Sequence, residues 1–127
     1  MSLIKISDWM SGPVICAKPQ DSLLSAIKKM AKHNIGCLVI KDKSIKIHGI
    51  ISERDILKKA VAKQKNLAKL RVVDIMTTKV KTADINSSLL YLIKMMEKGK
   101  FRDTPIMKKG KLAGIITSQD VIRMLSI

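Results

Sequence analysis

The amino-acid sequence predicts an α/β (α+β) fold built from two tandem β-α-β-β-α repeats. Three observations predict it. The chain matches itself in register over most of its length, each copy alternates short apolar runs with helical apolar stripes, and one short element closes both copies: Gly49-Ile-Ile-Ser-Glu-Arg-Asp55 and Gly114-Ile-Ile-Thr-Ser-Gln-Asp120. A shift of 66 carries Asp8-Trp9-Met10 onto Asp74-Ile75-Met76, Val14 onto Val80, Leu23-Leu24 onto Leu89-Leu90, Ile27 onto Ile93 and Met30 onto Met96. After a one-residue deletion near Ser44 to Ile47, a shift of 65 carries Gly49 onto Gly114 and Asp55 onto Asp120. The duplication divides the chain into residues 1–65 and 66–127.

The elements follow in order. Val14 to Cys16 is a short extended stretch closed by Pro19. Asp21 or Ser22 caps a helix whose stripe is Leu23, Ile27, Met30 and Ala31, with Lys28, Lys29 and Lys32 outside it, and Asn34 and Gly36 end that helix. Cys37 to Ile40 is a buried-type strand, Asp42-Lys43-Ser44 a turn, and Ile45 to Ile51 a second strand. Ser52 opens a helix with Ile56, Leu57, Ala60 and Val61 as its stripe. The second repeat places an extended stretch at Val80 to Thr82, a helix over Ser88 to Lys98, strands at Thr104 to Met107 and Lys111 to Ile116, and a helix from Ser118 to Leu125. Lys-rich Gln64 to Arg71 links the two.

Composition narrows the class. Of 127 residues, 46% are hydrophobic but only 2% aromatic, so the core is made of Ile, Leu, Val, Ala and Met, with Trp9, Tyr91 and Phe101 as isolated exceptions. Met30, Met95, Met96 and Met124 read as core filler. No apolar run approaches the roughly 18–20 residues that span a bilayer, and Met1 to Trp9 lack a secretion-signal layout. Cys16 and Cys37 are not spaced as a metal pair and read as reduced core thiols. These features predict a cytoplasmic protein that does not engage a membrane. The charge is the loudest signal: 25 Lys and Arg face 10 Asp and Glu, a formal net charge of +15 spread over both repeats. Such a field attracts polyanions; a solvated Lys-rich surface accounts for it equally well.

The shared element carries the chemistry. At a strand-to-helix junction the glycine lets a second backbone or a ligand come close. Ser52 or Thr117 stands where the first helix amides point outward, a natural place for an anion. Asp55 or Asp120, three residues on, can accept two hydrogen bonds from a ribose diol. Ser-x-x-Asp and Thr-x-x-Asp also read as capping boxes, which account for both residues without any ligand. Two features favour a ligand: the third residue is Asp both times, where Glu or Gln makes the better box, and Gly-Ile-Ile is repeated unchanged.

Two β-α-β-β-α units, each opening with Asp-x-Met and closing with Gly-hydrophobic-hydrophobic-Ser/Thr-x-x-Asp, resemble a tandem pair of CBS domains, the Bateman module. Asn34-Ile35-Gly36-Cys37-Leu38-Val39 and Phe101-Arg102-Asp103-Thr104-Pro105-Ile106 fall at that family's second strand. The resemblance implies two CBS repeats packed with pseudo-two-fold symmetry. It also implies a non-catalytic regulatory module that binds AMP, ADP, ATP or S-adenosylmethionine in clefts between the repeats. Asp55 and Asp120 would then take ribose hydroxyls, and Ser52 and Thr117 the ribose or phosphate. Ile15 and Cys16, Lys81 and Thr82, with Gly36, Cys37, Thr104 and Pro105 of the second strands, would enclose the adenine. Arg54 is placed for phosphate, Gln119 replaces it in the second repeat, and Arg102 stands beside Asp103, so the two sites are expected to be unequal. Such modules commonly form flat homodimers through helices and act on a separate protein.

Enzymatic motifs are absent. His33 and His48 have no second ligand at metal spacing, and no G-x-S-x-G, Walker loop or Cys-His pairing occurs, so neither a catalytic nor a metal site is expected. Two further functions remain open. A nucleic-acid-binding protein would use the +15 charge, without aromatic platforms and with only four Arg, so its binding would be sequence-blind and salt-dependent. The other is a ligand-free oligomerisation scaffold.

Overall fold

The computed structural model describes residues 4–44, 46–100 and 102–126; Ile45, expected to begin a strand, and Phe101 lie outside the described residues. The chain forms two compact units whose boundaries are offset from the sequence repeats. One is Ile15–Val80 and the other joins Met1–Val14 to Lys81–Ile127. Each unit therefore holds the strand-and-helix body of one repeat and the Asp-x-Met segment of the other.

In the unit Ile15–Val80 the order is β1 (Cys16–Ala17), α1 (Leu23–His33), β2 (Cys37–Lys41), β3 (Ile47–Ser52), α2 (Glu53–Ile56) and α3 (Val72–Ile75). The sheet runs β1-β2-β3, with β1 parallel and β3 antiparallel to β2. The second unit repeats it with β4 (Ala83–Asp84), α4 (Leu89–Gly99), β5 (Asp103–Lys108), β6 (Lys111–Thr117) and α5 (Ser118–Leu125), in sheet order β4-β5-β6.

Local chemistry explains the helix limits. Ser22 and Ser88 cap α1 and α4 by accepting the Ser25 and Tyr91 amides, and both helices end on a left-handed residue, Asn34 at φ 52° and Lys100 at φ 55°. Each unit buries its own aliphatic and methionine core. The first contains Leu23, Ala26, Met30, Leu38, Ile40, Ile51 and Ala60; the second contains Leu89, Leu92, Met96, Ile106, Ile116, Val121 and Met124. Met95 packs at the edge of the latter, whereas Tyr91 is exposed and contributes nothing to it.

Four expectations shift. The extended stretches set at Val14–Cys16 and Val80–Thr82 form their strands slightly later, at Cys16–Ala17 and Ala83–Asp84, where parallel pairing with Val39-Ile40 and Ile106-Met107 is available. Ala31 of the α1 stripe is exposed, and Ala26 is buried instead. Leu57 and Val61 were expected in a core stripe, yet they are 59% and 48% exposed. The helix passes into a π turn over Leu57–Val61, closed by Ala62 N–H donating to the Leu57 carbonyl at 2.8 Å, and the wider turn carries both side chains off the buried face. The Gln64–Arg71 link is also more than a tether, because a 3₁₀ turn at Leu67–Lys69 sets Leu67 and Leu70 against the first core.

The two repeated signatures explain each other. Thr77 exchanges backbone hydrogen bonds with Ile50 at 2.8 and 2.9 Å, and Ser11 with Ile115 at 3.0 and 3.3 Å. These bridges lay Met76-Thr77 across Gly49 and Met10 across Gly114. A Cβ on Gly49 would meet the Thr77 carbonyl oxygen at 2.7 Å and the Met76 sulfur at 2.9 Å; one on Gly114 would meet the Met10 sulfur at 2.5 Å. The glycine required by a close approach thus admits the chain's own Asp-x-Met segment. Gly49→Ala should cost about 1–3 kcal/mol by overpacking, since its obstacle is backbone. Gly114→Ala should cost less, because the Met10 side chain can turn aside; urea unfolding of both variants measures the order.

Candidate functional site

The first candidate site grows from the turn between β3 and α2. Ser52 is the helix N-cap: its Oγ accepts the Asp55 amide at 3.1 Å, while Asp55 Oδ2 accepts the Ser52 amide at 3.0 Å and the Ser52 hydroxyl at 3.1 Å. The capping box is therefore formed, and it consumes one carboxylate oxygen. The other, Oδ1, accepts the Thr77 hydroxyl at 2.9 Å and lies 3.1 Å from the Lys59 ammonium. Lys59 also donates to the Ile75 carbonyl at 3.1 Å and to Thr77 Oγ1 at 3.4 Å. Asp55 is buried, and this arrangement ties α2 to the Asp-x-Met-Thr segment.

The second site repeats the box and changes the lock. Thr117 Oγ1 accepts the Asp120 amide at 3.1 Å, and Asp120 Oδ2 accepts the Thr117 amide and hydroxyl at 2.8 and 3.0 Å. Asp120 Oδ1 accepts from the Arg123 guanidinium, which also lies 5.9 Å from the Trp9 ring centroid. The Arg123 side chain is 63% exposed, so the cation over Asp120 faces water while its carboxylate is buried.

The other expected residues fall as follows. Strand alternation sets Cys16, Cys37 and Val39 on the sheet face opposite the core residues Ala17, Leu38 and Ile40. Burial pushes the Cys16 thiol up, with the Lys41 and Lys29 charges pulling the other way; both thiols are free of disulfides. Ile15 packs on the first core, and the Gly36 carbonyl accepts the Glu53 amide at 3.0 Å. Arg54 and Gln119 are exposed on the first turns of α2 and α5. Lys81 and Thr82 are exposed ahead of β4, and Arg102 is exposed with its carbonyl accepting the Ser118 amide at 2.7 Å.

Thr104 and Pro105 are both buried but on opposite faces of β5. Thr104 pairs with the core residue Ile116 and shares a face with Ile106; its hydroxyl is fully buried without a hydrogen-bond partner. Three side chains that gather on the aspartates were not foreseen: Lys59, Arg123 and Thr77. The first two stand at i+4 and i+3 from their carboxylates, a spacing legible in the chain. Thr77 is 22 residues from Asp55, and only folding brings it there. Among the described residues no three or more His, Cys, Asp or Glu side chains form a metal-binding group, and no helix is long and apolar enough to cross a membrane.

A duplicated three-stranded unit, each copy ending on a capped Ser/Thr-x-x-Asp helix start, defines a tandem repeat protein of one architectural class. The CBS domain model matches residues 6–62 and 72–127, and the chain belongs to that family as a CBS-domain pair. Hypoxic response protein 1 of Mycobacterium tuberculosis is 28% identical over 118 residues, 93% of this chain and 82% of its own length. A CBS-domain protein of Burkholderia ambifaria assigned to signal transduction superposes with a TM-score of 0.89 at 27% identity, covering 96% of this chain and 93% of its own. The CBS domain pair of protein MJ0100, solved with 5′-methylthioadenosine and S-adenosyl-L-methionine, superposes with a TM-score of 0.87 at 32% identity, covering 97% and 96%.

An orphaned buried hydroxyl costs about 1–3 kcal/mol, so Thr104→Val should leave the melting temperature unchanged or raise it. Thr117→Val, which removes a cap, should lower stability by about 0.5–2 kcal/mol. Differential scanning calorimetry distinguishes the two threonines.

Proposed function

We propose that this CBS-domain pair is a non-catalytic sensor of an adenosine-containing ligand, AMP, ADP, ATP or S-adenosylmethionine, that signals to a separate protein. One observation carries the reading. In both units the capping box uses only Oδ2 of the aspartate, and Oδ1 is held by groups that a ribose hydroxyl can replace. The MJ0100 pair, with its two adenosine compounds, supports the ligand class. Asp55 and Asp120 take the ribose, Ser52 and Thr117 the ribose or phosphate, and exposed Arg54 a phosphate.

The Asp120 site fills more readily. Its Oδ1 is covered by one solvent-facing guanidinium, whereas Asp55 must release both the Thr77 hydroxyl and the Lys59 ammonium. Isothermal titration with AMP, ATP and S-adenosylmethionine should give heat with at least one of them. Asp120→Ala should abolish the tighter binding and Asp55→Ala the weaker, each costing only about 0.5–2 kcal/mol in stability. No heat and no thermal shift with any of the three sinks the reading. Unchanged binding in the double variant leaves these aspartates as caps alone.

The proposed module acts as a homodimer. Leu57, Val61, Leu90, Tyr91, Ile122 and Leu125 are exposed large apolar side chains, all on helices or the π turn. Sedimentation velocity should show a dimer, and Leu57→Lys with Ile122→Lys should dissociate it without loss of folding; a wild-type monomer at micromolar concentration rejects the dimer.

A further inference from the structure

The acids of this chain do little to neutralise its bases. Six of the ten carboxylates, those of Asp21, Asp42, Asp55, Asp74, Asp84 and Asp120, accept backbone amides of turns or helix starts. Lys59 and Arg123 sit in ion pairs with carboxylates, those of Asp55 and Asp120. Most of the described lysines are exposed, and three of them cluster at the end of the β5–β6 hairpin.

The β5–β6 hairpin shows this directly. Lys108 and Lys111 are paired opposite each other across the ladder, an arrangement of like charges that works against the hairpin. Between them Lys109 takes φ 51° and Gly110 φ 77°, the left-handed pair of a two-residue turn. A lysine thus occupies a backbone conformation that favours Gly, Asn or Asp. All three lysines are exposed, and β4 pairs only with Ile106 and Met107, so the tip extends beyond the third strand.

The β2–β3 hairpin carries the same kind of charge at its own end. Lys41, Lys43 and Lys46 lie past the last residue paired with β1. Its one acid, Asp42, is exposed, accepts the Ser44 amide at 2.8 Å and lies 2.9 Å from His48 Nε2, so this tip, unlike the β5–β6 tip, holds a carboxylate among its lysines.

We propose that the lysine-tipped end of the β5–β6 hairpin, with Lys108, Lys109 and Lys111, is a docking surface for the phosphate backbone of duplex nucleic acid. The chemistry selects this partner among polyanions. Among the described residues every exposed large apolar side chain lies on a helix or the π turn, so the β5–β6 tip lacks the anchor that a membrane surface or a protein interface core requires. The β5–β6 tip carries no aromatic side chain on which unpaired bases would stack. A two-stranded ribbon bearing cations fits the major groove of a duplex, and lysine reads phosphate charge without base preference. The surface is independent of the aspartate sites and of any adenosine ligand.

Fluorescence anisotropy of the full chain with a labelled random-sequence duplex of about 20 base pairs, at several salt concentrations, tests the proposal. The triple variant Lys108→Gln, Lys109→Gln, Lys111→Gln should lose at least about tenfold in affinity, and its log–log salt dependence should become shallower by about 3 units. A charge-matched control, Lys28→Gln, Lys58→Gln, Lys98→Gln, removes three exposed helix lysines and should lose less than about threefold, as expected for a long-range field that salt screens. Equal losses in the two variants would reduce the effect to net charge and overturn the proposal. So would absence of duplex binding at low salt, or tighter binding to phosphatidylserine vesicles or polyglutamate than to the duplex.

Discussion

The close approach of Met76-Thr77 to Gly49, matched by Met10 to Gly114, is the contact on which the rest of each unit depends. A side chain at Gly49 would collide with the arriving backbone at the Thr77 carbonyl, and one at Gly114 would have to push the Met10 side chain aside. The bridge then delivers Thr77 to the start of α2, where its hydroxyl meets Asp55. A packing constraint on a strand thereby sets the electrostatics of the adjoining helix. The same constraint makes each compact unit from parts of both repeats, so the duplication is built into the fold as an exchange of segments.

The aspartates show how one residue serves two purposes. A carboxylate has two oxygens, and the capping box needs only one. The spare oxygen in a buried setting must still find a donor, because a buried unpaired charge is costly. In one unit the donors are Thr77 and a half-exposed Lys59; in the other, a solvent-facing Arg123. Equivalent positions in sequence therefore differ in how tightly the spare oxygen is held, and the difference lies in residues outside the shared motif.

Charge follows a similar economy. With most acids engaged as turn and helix caps, the basic excess is not paired away and remains a property of the surface. The lysines at the β5–β6 end stand clear of the neighbouring strand because β4, only two residues long, pairs no further than Met107.

The sequence by itself determined the duplication, the β-α-β-β-α order, the methionine-rich aliphatic cores and the two Ser/Thr-x-x-Asp helix starts. Each of these is written in local periodicity or in a motif of adjacent residues, as in residues 49–55 and 114–120. Tertiary structure decided which Asp-x-Met segment lies on which glycine, that Thr77 joins Asp55, and that Leu57 and Val61 turn outward through a π turn. It also decided that Thr104 faces a core while its neighbour Pro105 faces the other way. These outcomes depend on contacts between residues far apart in the chain, or on a single extra residue in a helical turn, and neither leaves a periodic trace. The repeated motif announced where a ligand-competent carboxylate would stand; only the folded chain determined what holds its second oxygen.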